Sequence, residues 1–240
     1  MLAHGRPREA AGRGPGGGTA PTRDDLSHLA PRRLSSGRNR TKADVLVFEW
    51  DDRQIVVKDF RPRGILVRNT IGRFSVAREW RAYERLSGLA GVPEPLARID
   101  AHAIAYAYLG GAPLHHLGER RLPTTFFEDL RRLLAAIHGR GIAIADLHHR
   151  NVLVTEPAGA PGLIDFSLAL VRPAAWNLPG RWIYRRVQEL DLLALERIRE
   201  RYHALHDGAA ALPEKGGIRR LHGLGRALKR GLRRLRGVEP

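Results

Sequence analysis

Three polar residues in the middle of the chain lie at the ends of short apolar runs, and their types could support metal-assisted chemistry. Asp146 is followed five residues later by Asn151, which opens the apolar run 152–154, and Asp165 ends a second run just before Phe166. Magnesium in proteins prefers oxygen ligands, which suits the Asp165 carboxylate and the Asn151 amide. A carboxylate such as Asp146 can accept the proton of a hydroxyl. Taken alone, these residues could also be turn and capping residues.

Two charged residues upstream could complete such a site. Lys58 lies in the β-prone run 53–60, and Glu79 follows 21 residues later in a segment with helical periodicity. An ion pair with Glu79 would hold the Lys58 ammonium as a fixed positive charge for phosphate groups. Taken alone, Lys58 could be a solvated residue at a strand edge.

Alternating β-prone and helical segments must position these residues. The runs 44–50 and 53–60 surround Asp51-Asp52 and predict a β-hairpin. A first helix is predicted over 75–89 with Ser75 as its N-cap. Further strands are predicted at 101–109, 151–155 and 162–166, and further helices at 126–138 and 185–203. A strand-rich front joined by Gly110-Gly111 to a helical remainder predicts two lobes with a ligand cleft between them.

In this order, the charged residues resemble the motifs of the protein-kinase-like superfamily, whose catalytic and metal-binding loops read HxDxxxxN and DFG. The resemblance implies an α+β, bilobal fold. It comprises a small antiparallel-sheet N-lobe with one helix (residues 31–109) and a reduced, mainly helical C-lobe (residues 110–210). It also implies an ATP- and Mg²⁺-dependent phosphotransferase. In that enzyme Asp146 would be catalytic, Asn151 and Asp165 would bind the metal, and the nucleotide site would contain Lys58, Glu79 and Gly37.

Over residues 34–203 the chain is similar to small bacterial kinases of the RIO-like and Kdo (lipopolysaccharide) kinase branch. The similarity includes the short sequence motifs at residues 78–82 and 91–95. It also includes the short segment that connects Asp165 to the helix 185–201. It implies a protein Ser/Thr hydroxyl as the acceptor, or alternatively a sugar of the lipopolysaccharide core. By the same analogy Asp191 would brace the catalytic loop, although it could also be a helix-capping acid.

Departures from the family pattern leave a further alternative, a weakly active pseudokinase or membrane-associated scaffold. The segment 35–40 offers Gly37 as its single glycine, Ile144 replaces the loop histidine, and Ser167 replaces the glycine of DFG. The histidine pairs at residues 115–116 and 148–149 are adjacent in sequence. Because adjacent residues do not share a helix face, no joint metal site is predicted there.

The net charge of +16 is concentrated at the two ends of the chain. Residues 1–42 contain nine Lys/Arg against three Asp/Glu, and residues 211–240 contain nine against two. Residues 1–30 are rich in Gly and Pro and are predicted to be disordered. The segment that begins at Ile218 and ends at Leu235 places leucines three or four residues apart between arginines, so it predicts a basic amphipathic helix. Such a helix suits an anionic membrane surface, or it packs on the helical lobe; single-stranded nucleic acid is less favoured because no aromatics are interleaved.

The composition also excludes several kinds of site. The chain contains no cysteine, so disulfides, zinc-thiolate sites and cysteine nucleophiles are excluded. No stretch approaches the roughly 20 apolar residues of a membrane span, and the first eight residues lack the apolar core of a signal peptide. We therefore expect a cytoplasmic protein, with peripheral contact to the inner membrane as the expected role of the basic tail.

Overall fold

The structure is a computed structural model that describes residues 20–35, 41–118 and 121–203. Two predictions, Gly37 in the phosphate loop and the basic helix over 218–235, lie outside the described residues. The helices are α1 (Arg23–Ser27), α2 (Ile65–Val67), α3 (Arg73–Leu86), α4 (Thr124–Gly139) and α5 (Leu178–Tyr202). The strands are β1 (Arg32–Ser35), β2 (Asp44–Trp50), β3 (Arg53–Asp59), β4 (Pro95–Ala97), β5 (Ala103–Ala107), β6 (Ala112–Pro113), β7 (Ile142–Ala143), β8 (Val152–Val154), β9 (Pro161–Leu163) and β10 (Leu170–Val171).

The first five strands form an antiparallel sheet in the order β1-β2-β3-β5-β4. Strands β2 and β3 pair without interruption and are joined by Asp51 and Asp52. These two residues have φ of 50° and 58°, the left-handed backbone that a tight two-residue hairpin requires and that aspartate tolerates. The predicted hairpin is therefore confirmed, and it places Lys58 near the end of β3.

Helix α3 begins at Arg73, so the prediction of Ser75 as its N-cap is wrong. The residues before α3 are already helical, since α2 and a π-helical segment at Arg68–Gly72 lead directly into it. Ser75 therefore lies buried within the helix. Gly72 permits this entry because a Cβ at its position would lie 2.9 Å from the side chain of Phe60. Hydrophobic periodicity did not reveal this extension since Ile65 and Leu66 are exposed.

Helix α1 corrects the prediction that residues 1–30 are disordered throughout. Thr22 and Asp25 form a reciprocal capping box at its start. Arg23 pairs with Asp59 at 2.8 Å and with Asp100 at 2.8 Å. Leu26 is buried beneath the sheet beside Phe48 and Ile55. These contacts, which composition alone does not reveal, offset the entropy of ordering this short helix.

Gly110 and Gly111 carry the chain from the sheet to the remaining elements. Both have positive φ, 71° and 85°. A Cβ at Gly111 would lie 2.1 Å from the backbone oxygen of Val154, so only glycine lets β6 lie against β8. Strands β6, β8 and β9 form a small antiparallel sheet, and β7 pairs with β10. The exact lobe boundary at residue 110 stays a prediction.

Helices α4 and α5 complete the second half. Helix α4 buries its predicted apolar stripe, including Leu130, Leu134 and Ile137. Helix α5 begins at Leu178, earlier than the predicted start at Arg185, because the Asn177 side chain accepts a hydrogen bond from the Gly180 backbone and caps it.

One hydrophobic core joins the sheet to α3, α4 and the second half, and a smaller core lies under β2 and β3 with α1. The predicted α+β architecture is confirmed. Among the described residues, no helix is long and apolar enough to cross a membrane.

Candidate functional site

Lys58 and Glu79 form a buried ion pair between the sheet and α3. Lys58 Nζ lies 2.7 Å from Glu79 Oε2, and both residues are buried. The pair forms because β3 and α3 pack on the same core, with Val56 and Val76 buried near the two charged residues along the chain. The predicted contact across 21 residues of sequence is therefore present in the structure.

Asp165 adds a second carboxylate to the same lysine. Its Oδ1 lies 3.0 Å from Lys58 Nζ and accepts a hydrogen bond from the Ser167 backbone N–H at 3.3 Å. Asp165 follows β9 with φ of 64°, a left-handed conformation that is uncommon for a residue with a side chain and that concentrates at functional sites. Its side chain is 43% exposed, so the carboxylate remains open to solvent.

One ammonium therefore lies between two carboxylates, and this arrangement shifts all three pKa values. Burial raises the pKa of Glu79 to about 7, although Lys58 opposes the shift. Partial burial alone would also raise the pKa of Asp165, but Lys58 and the hydrogen bonds from Ser167 outweigh it and hold that pKa well below its usual range. Burial alone would lower the pKa of Lys58, but Asp165 and Glu79 raise it above its usual value. Lys58 and Asp165 are thus charged at neutral pH, whereas Glu79 titrates there.

The loop from Asp146 to Asn151 lies beside Asp165. The Ile164 backbone N–H donates to the Asn151 carbonyl at 3.0 Å, which extends the pairing of β8 with β9 by one step and places Asn151 next to the residue before Asp165. Asn151 Nδ2 donates to the Asp146 backbone oxygen at 3.2 Å, and the Asn151 N–H donates to the His148 carbonyl at 2.8 Å. The side chain of Asn151 therefore fixes the shape of the loop that carries Asp146.

The Asp146 carboxylate is partly exposed, and His148 Nε2 lies 3.6 Å from its Oδ2. His148 is the second residue after Asp146. The His148 ring therefore lies beside the Asp146 carboxylate.

Asp191 of α5 binds the start of this loop, as the sequence analogy suggested. Its Oδ2 accepts the Ile144 backbone N–H at 2.8 Å, and its Oδ1 accepts the Ala145 N–H at 2.9 Å. His138 Nε2 also lies 3.0 Å from Oδ2, a contact that sequence reasoning missed. Asp191 is 2% exposed and lies far from the first turn of α5, so it is not a helix-capping acid.

A cluster of aromatic rings connects α3 to the loop around Asp165. The Tyr83 ring stacks on Tyr106 of β5 with centroids 5.0 Å apart, and it meets Phe166 edge-on at 5.2 Å. Phe166 is fully buried. Because Phe166 follows Asp165 directly, this packing sets where the backbone of Asp165 lies. Sequence reasoning noted Phe166 as part of a motif but not its two partners.

The oxygen atoms of Asp165 and Asn151 suit a magnesium ion. Magnesium favours carboxylate and carbonyl oxygens and keeps part of its coordination sphere for water or phosphate. The Asp165 carboxylate stays ionised and is open to solvent, and the Asn151 amide nitrogen is already engaged, which leaves the amide oxygen as its ligand atom. The two carboxylates around one ammonium also carry excess negative charge when Glu79 is ionised. The residues present therefore fit the metal.

The histidines do not form a second metal centre in the described part of the chain. His115 and His116 have ring centroids 4.0 Å apart, and His115 lies 5.9 Å from His149. Within residues 20–35, 41–118 and 121–203, no group of three or more His, Asp or Glu side chains is arranged to hold a metal. His149 instead has its Nδ1 2.8 Å from the Tyr202 hydroxyl at the end of α5.

No known family model matches the chain. The probable SapB synthase of Streptomyces coelicolor is 33% identical over 138 residues, which covers 48% of this chain and 15% of that protein. The chain thus spans a small part of this relative's length.

Solved structures with a similar fold include the Rio2 kinase from Chaetomium thermophilum. The similarity has a TM-score of 0.57 at 18% identity and covers 76% of this chain and 60% of that one. The ADP/Mg²⁺-phosphoaspartate complex of the same kinase has a TM-score of 0.54 at 18% identity, with 77% and 59% covered. Together with the sheet order and the Lys58, Glu79 and Asp165 arrangement, these similarities show that the chain has the protein-kinase-like fold.

Proposed function

We propose that the protein is an ATP- and Mg²⁺-dependent phosphotransferase that moves the γ-phosphate of ATP to a hydroxyl acceptor. The observation that carries the proposal is the contact of Lys58 with both Glu79 and Asp165. A buried lysine held by one carboxylate, beside a second carboxylate that suits a metal, is a site for a polyphosphate and its cation. A purely structural ion pair would not need a third charged group that remains open to solvent.

In the proposed reaction, Lys58 binds phosphate oxygens of the nucleotide, and Glu79 keeps the ammonium in position. Asp165 and the Asn151 amide oxygen would hold Mg²⁺, which when bound would neutralise charge on the transferring phosphoryl group. Asp146 orients the acceptor hydroxyl and accepts its proton. The γ-phosphorus to bridging-oxygen bond breaks as the bond to the acceptor oxygen forms, so that ADP leaves and the hydroxyl becomes a phosphate ester.

We propose a protein Ser/Thr hydroxyl as the acceptor. The support is the similarity in fold to Rio2 kinase structures together with the short path between Asp165 and α5, in which β10 pairs directly with β7. The sugar hydroxyl of a lipopolysaccharide core is the alternative acceptor.

Phosphate release and transfer from radiolabelled ATP tests the reaction. With Mg²⁺ present, we expect Asp165→Ala to lower the rate by at least about 100-fold, because the metal loses its carboxylate ligand. Asp129→Ala, an exposed aspartate on α4, is the matched control and should retain the wild-type rate. Equal background rates for wild type and Asp165→Ala would contradict the phosphotransferase proposal. The protein would then be interpreted as a nucleotide-binding scaffold.

Parallel reactions with the protein itself, a generic basic protein and purified lipopolysaccharide core distinguish the acceptors. Labelled phosphoserine or phosphothreonine after acid hydrolysis supports the protein acceptor. Label found only in the lipopolysaccharide fraction would replace it with the sugar acceptor while leaving phosphoryl transfer intact.

A further inference from the structure

Four large apolar side chains are exposed within eight residues at the start of α5. Trp176 is 84% exposed, Leu178 70%, Trp182 54% and Ile183 40%. We call these four residues the tryptophan surface. A cluster of large apolar side chains on the outside of a protein marks a site of interaction more often than a single exposed residue does.

The fold does not use the tryptophan surface for its own packing. Tyr184 and Val187, on the other side of α5, are buried with Ala143 of β7 in a small core of their own. Leu178 and Trp182 are four residues apart, so they share the outward face of the helix. The inner face of α5 thus holds it to β7, and the outer face is left to another partner.

Several arginines flank the tryptophan surface along the chain, and of these Arg186 pairs with Glu189 at 2.7 Å. Arg181, Arg185 and Arg186 lie within the segment 166–188, which contains no Asp or Glu. The Arg186 guanidinium lies over the Trp182 ring, 5.5 Å from its centroid. The surface therefore combines indole rings with an excess of positive charge.

We propose that the tryptophan surface docks the protein on an anionic lipid bilayer. Tryptophan partitions to the boundary between headgroups and acyl chains, where its ring is buried and its N–H remains hydrated. The surrounding arginines complement anionic headgroups, as in other peripheral segments that combine basic and aromatic residues. A bilayer accepts such side chains on an outward helix face without needing a complementary groove.

Charge also argues against the chain's own C-terminal segment as the partner that covers the tryptophan surface. Residues 211–240 carry nine Lys/Arg against two Asp/Glu, so they would be repelled by the arginines around the tryptophan surface. The same segment would instead be attracted to the same anionic bilayer. The proposal does not depend on phosphoryl transfer, although β10, which precedes this surface, pairs with β7 just before the Asp146 loop.

Binding of the full chain to lipid vesicles tests the docking. Vesicles of phosphatidylcholine with phosphatidylglycerol are compared with phosphatidylcholine alone by co-sedimentation. We expect binding to the anionic vesicles, weakened roughly tenfold by each of Trp176→Ala and Trp182→Ala because each removes a large apolar side chain from the interface. The double variant Ile65→Ala/Phe74→Ala is the matched control, since these side chains are also exposed but lie on α2 and α3, and it should bind like the wild type.

Quenching by brominated acyl chains separates this surface from the basic C-terminal segment. The remaining tryptophans, Trp50 and Trp80, are buried or partly buried. Bound wild type should therefore lose emission that comes from Trp176 and Trp182. Sedimentation without quenching, or unchanged binding by the Trp176→Ala/Trp182→Ala variant, would overturn the proposal. So would self-association in solution that this double variant abolishes, because the surface would then be a protein interface.

Discussion

The Asp191 carboxylate accepts the backbone N–H of Ala145 at 2.9 Å, and Ala145 is the residue directly before Asp146. Ala145 has φ of 66°, an unfavourable backbone conformation for a residue with a Cβ. Asp191 accepts the Ile144 N–H as well, so one buried carboxylate holds both peptide groups of the strained segment. The loop therefore takes its shape from α5, about 45 residues away in sequence.

Replacing this carboxylate should damage both stability and the position of Asp146. In wild type each carboxylate oxygen of Asp191 accepts one backbone N–H. In Asp191→Asn only one oxygen remains to accept, and the new NH₂ group faces the other backbone N–H. We expect a loss of about 3 kcal/mol in the free energy of unfolding. Phosphoryl transfer per folded molecule should fall at least about tenfold, mainly in kcat.

Urea denaturation and kinetics on the folded fraction measure the two effects of Asp191→Asn. Glu196→Gln, at an exposed position on the same helix, serves as the control and should change stability by less than about 1 kcal/mol. If Asp191→Asn lowers stability but leaves kcat of the folded protein unchanged, Asp191 supports the fold without positioning Asp146.

Removing Lys58 should cost more stability than removing the charge of Glu79. Lys58→Met leaves the carboxylates of Glu79 and Asp165 without their shared cation, and a buried carboxylate that loses its partner costs about 3 to 5 kcal/mol. Glu79→Gln leaves Lys58 paired with Asp165 and can still accept a hydrogen bond. We expect its cost to be less than half as large. Chemical denaturation near neutral pH measures both, and equal costs would show that Asp165 does not share the lysine.

The raised pKa of Glu79 predicts a pH dependence of stability with a definite sign. Its pKa is about 7 in the folded protein against 4.5 in the unfolded chain, so the folded state binds the proton more tightly. Stability from this group is complete below about pH 4.5 and is lost as the pH rises through about 7, by up to about 3 kcal/mol. The lowered pKa of Asp165 acts only in more acidic solution and the raised pKa of Lys58 only in more basic solution.

The comparison of wild type with Glu79→Gln isolates this effect from the histidines. Burial lowers the pKa values of His115 and His149, and histidines titrate in the same range with the opposite effect on stability. Subtracting the unfolding free energies of Glu79→Gln from those of the wild type at about pH 5 and about pH 8 removes the histidine contribution. The difference should fall with rising pH, and a flat difference would mean that Glu79 titrates near its ordinary pKa.

The contacts among the site residues could be anticipated because each is tied to a local pattern. Lys58 lies near the end of a β-prone run, Glu79 lies in a segment with helical hydrophobic periodicity, and Asp165 ends an apolar strand. Their order along the chain was therefore enough to predict that they share one site. Asp191 was anticipated by analogy, while its alternative as a capping acid depended on where α5 begins. That start was missed because Trp182 and Ile183 face outward and interrupt the apolar periodicity.

The remaining differences arise from contacts between residues distant in sequence. Arg23 orders α1 by pairing with Asp59 and Asp100, and a Gly- and Pro-rich composition gives no sign of these partners. The early start of α3 depends on the packing of Gly72 against Phe60. Local propensity cannot report such contacts, because they exist only once the sheet has formed.

Gly110 and Gly111, which connect the five-stranded sheet to the second half of the fold, have the same backbone conformation. Alanine substitutions at these two positions therefore form a matched pair. Both glycines have positive φ, so alanine at either costs about 1 kcal/mol in strain. A Cβ at Gly110 meets nothing within 4 Å, whereas one at Gly111 would lie 2.1 Å from Val154 O and 2.7 Å from Thr155 Cα. Gly111→Ala must therefore separate β6 from β8 in addition to straining the backbone. We expect Gly110→Ala to lower the free energy of unfolding by about 1 kcal/mol and Gly111→Ala by more than about 3 kcal/mol, as measured by urea denaturation; equal losses would mean that β6 does not pack on β8 as described.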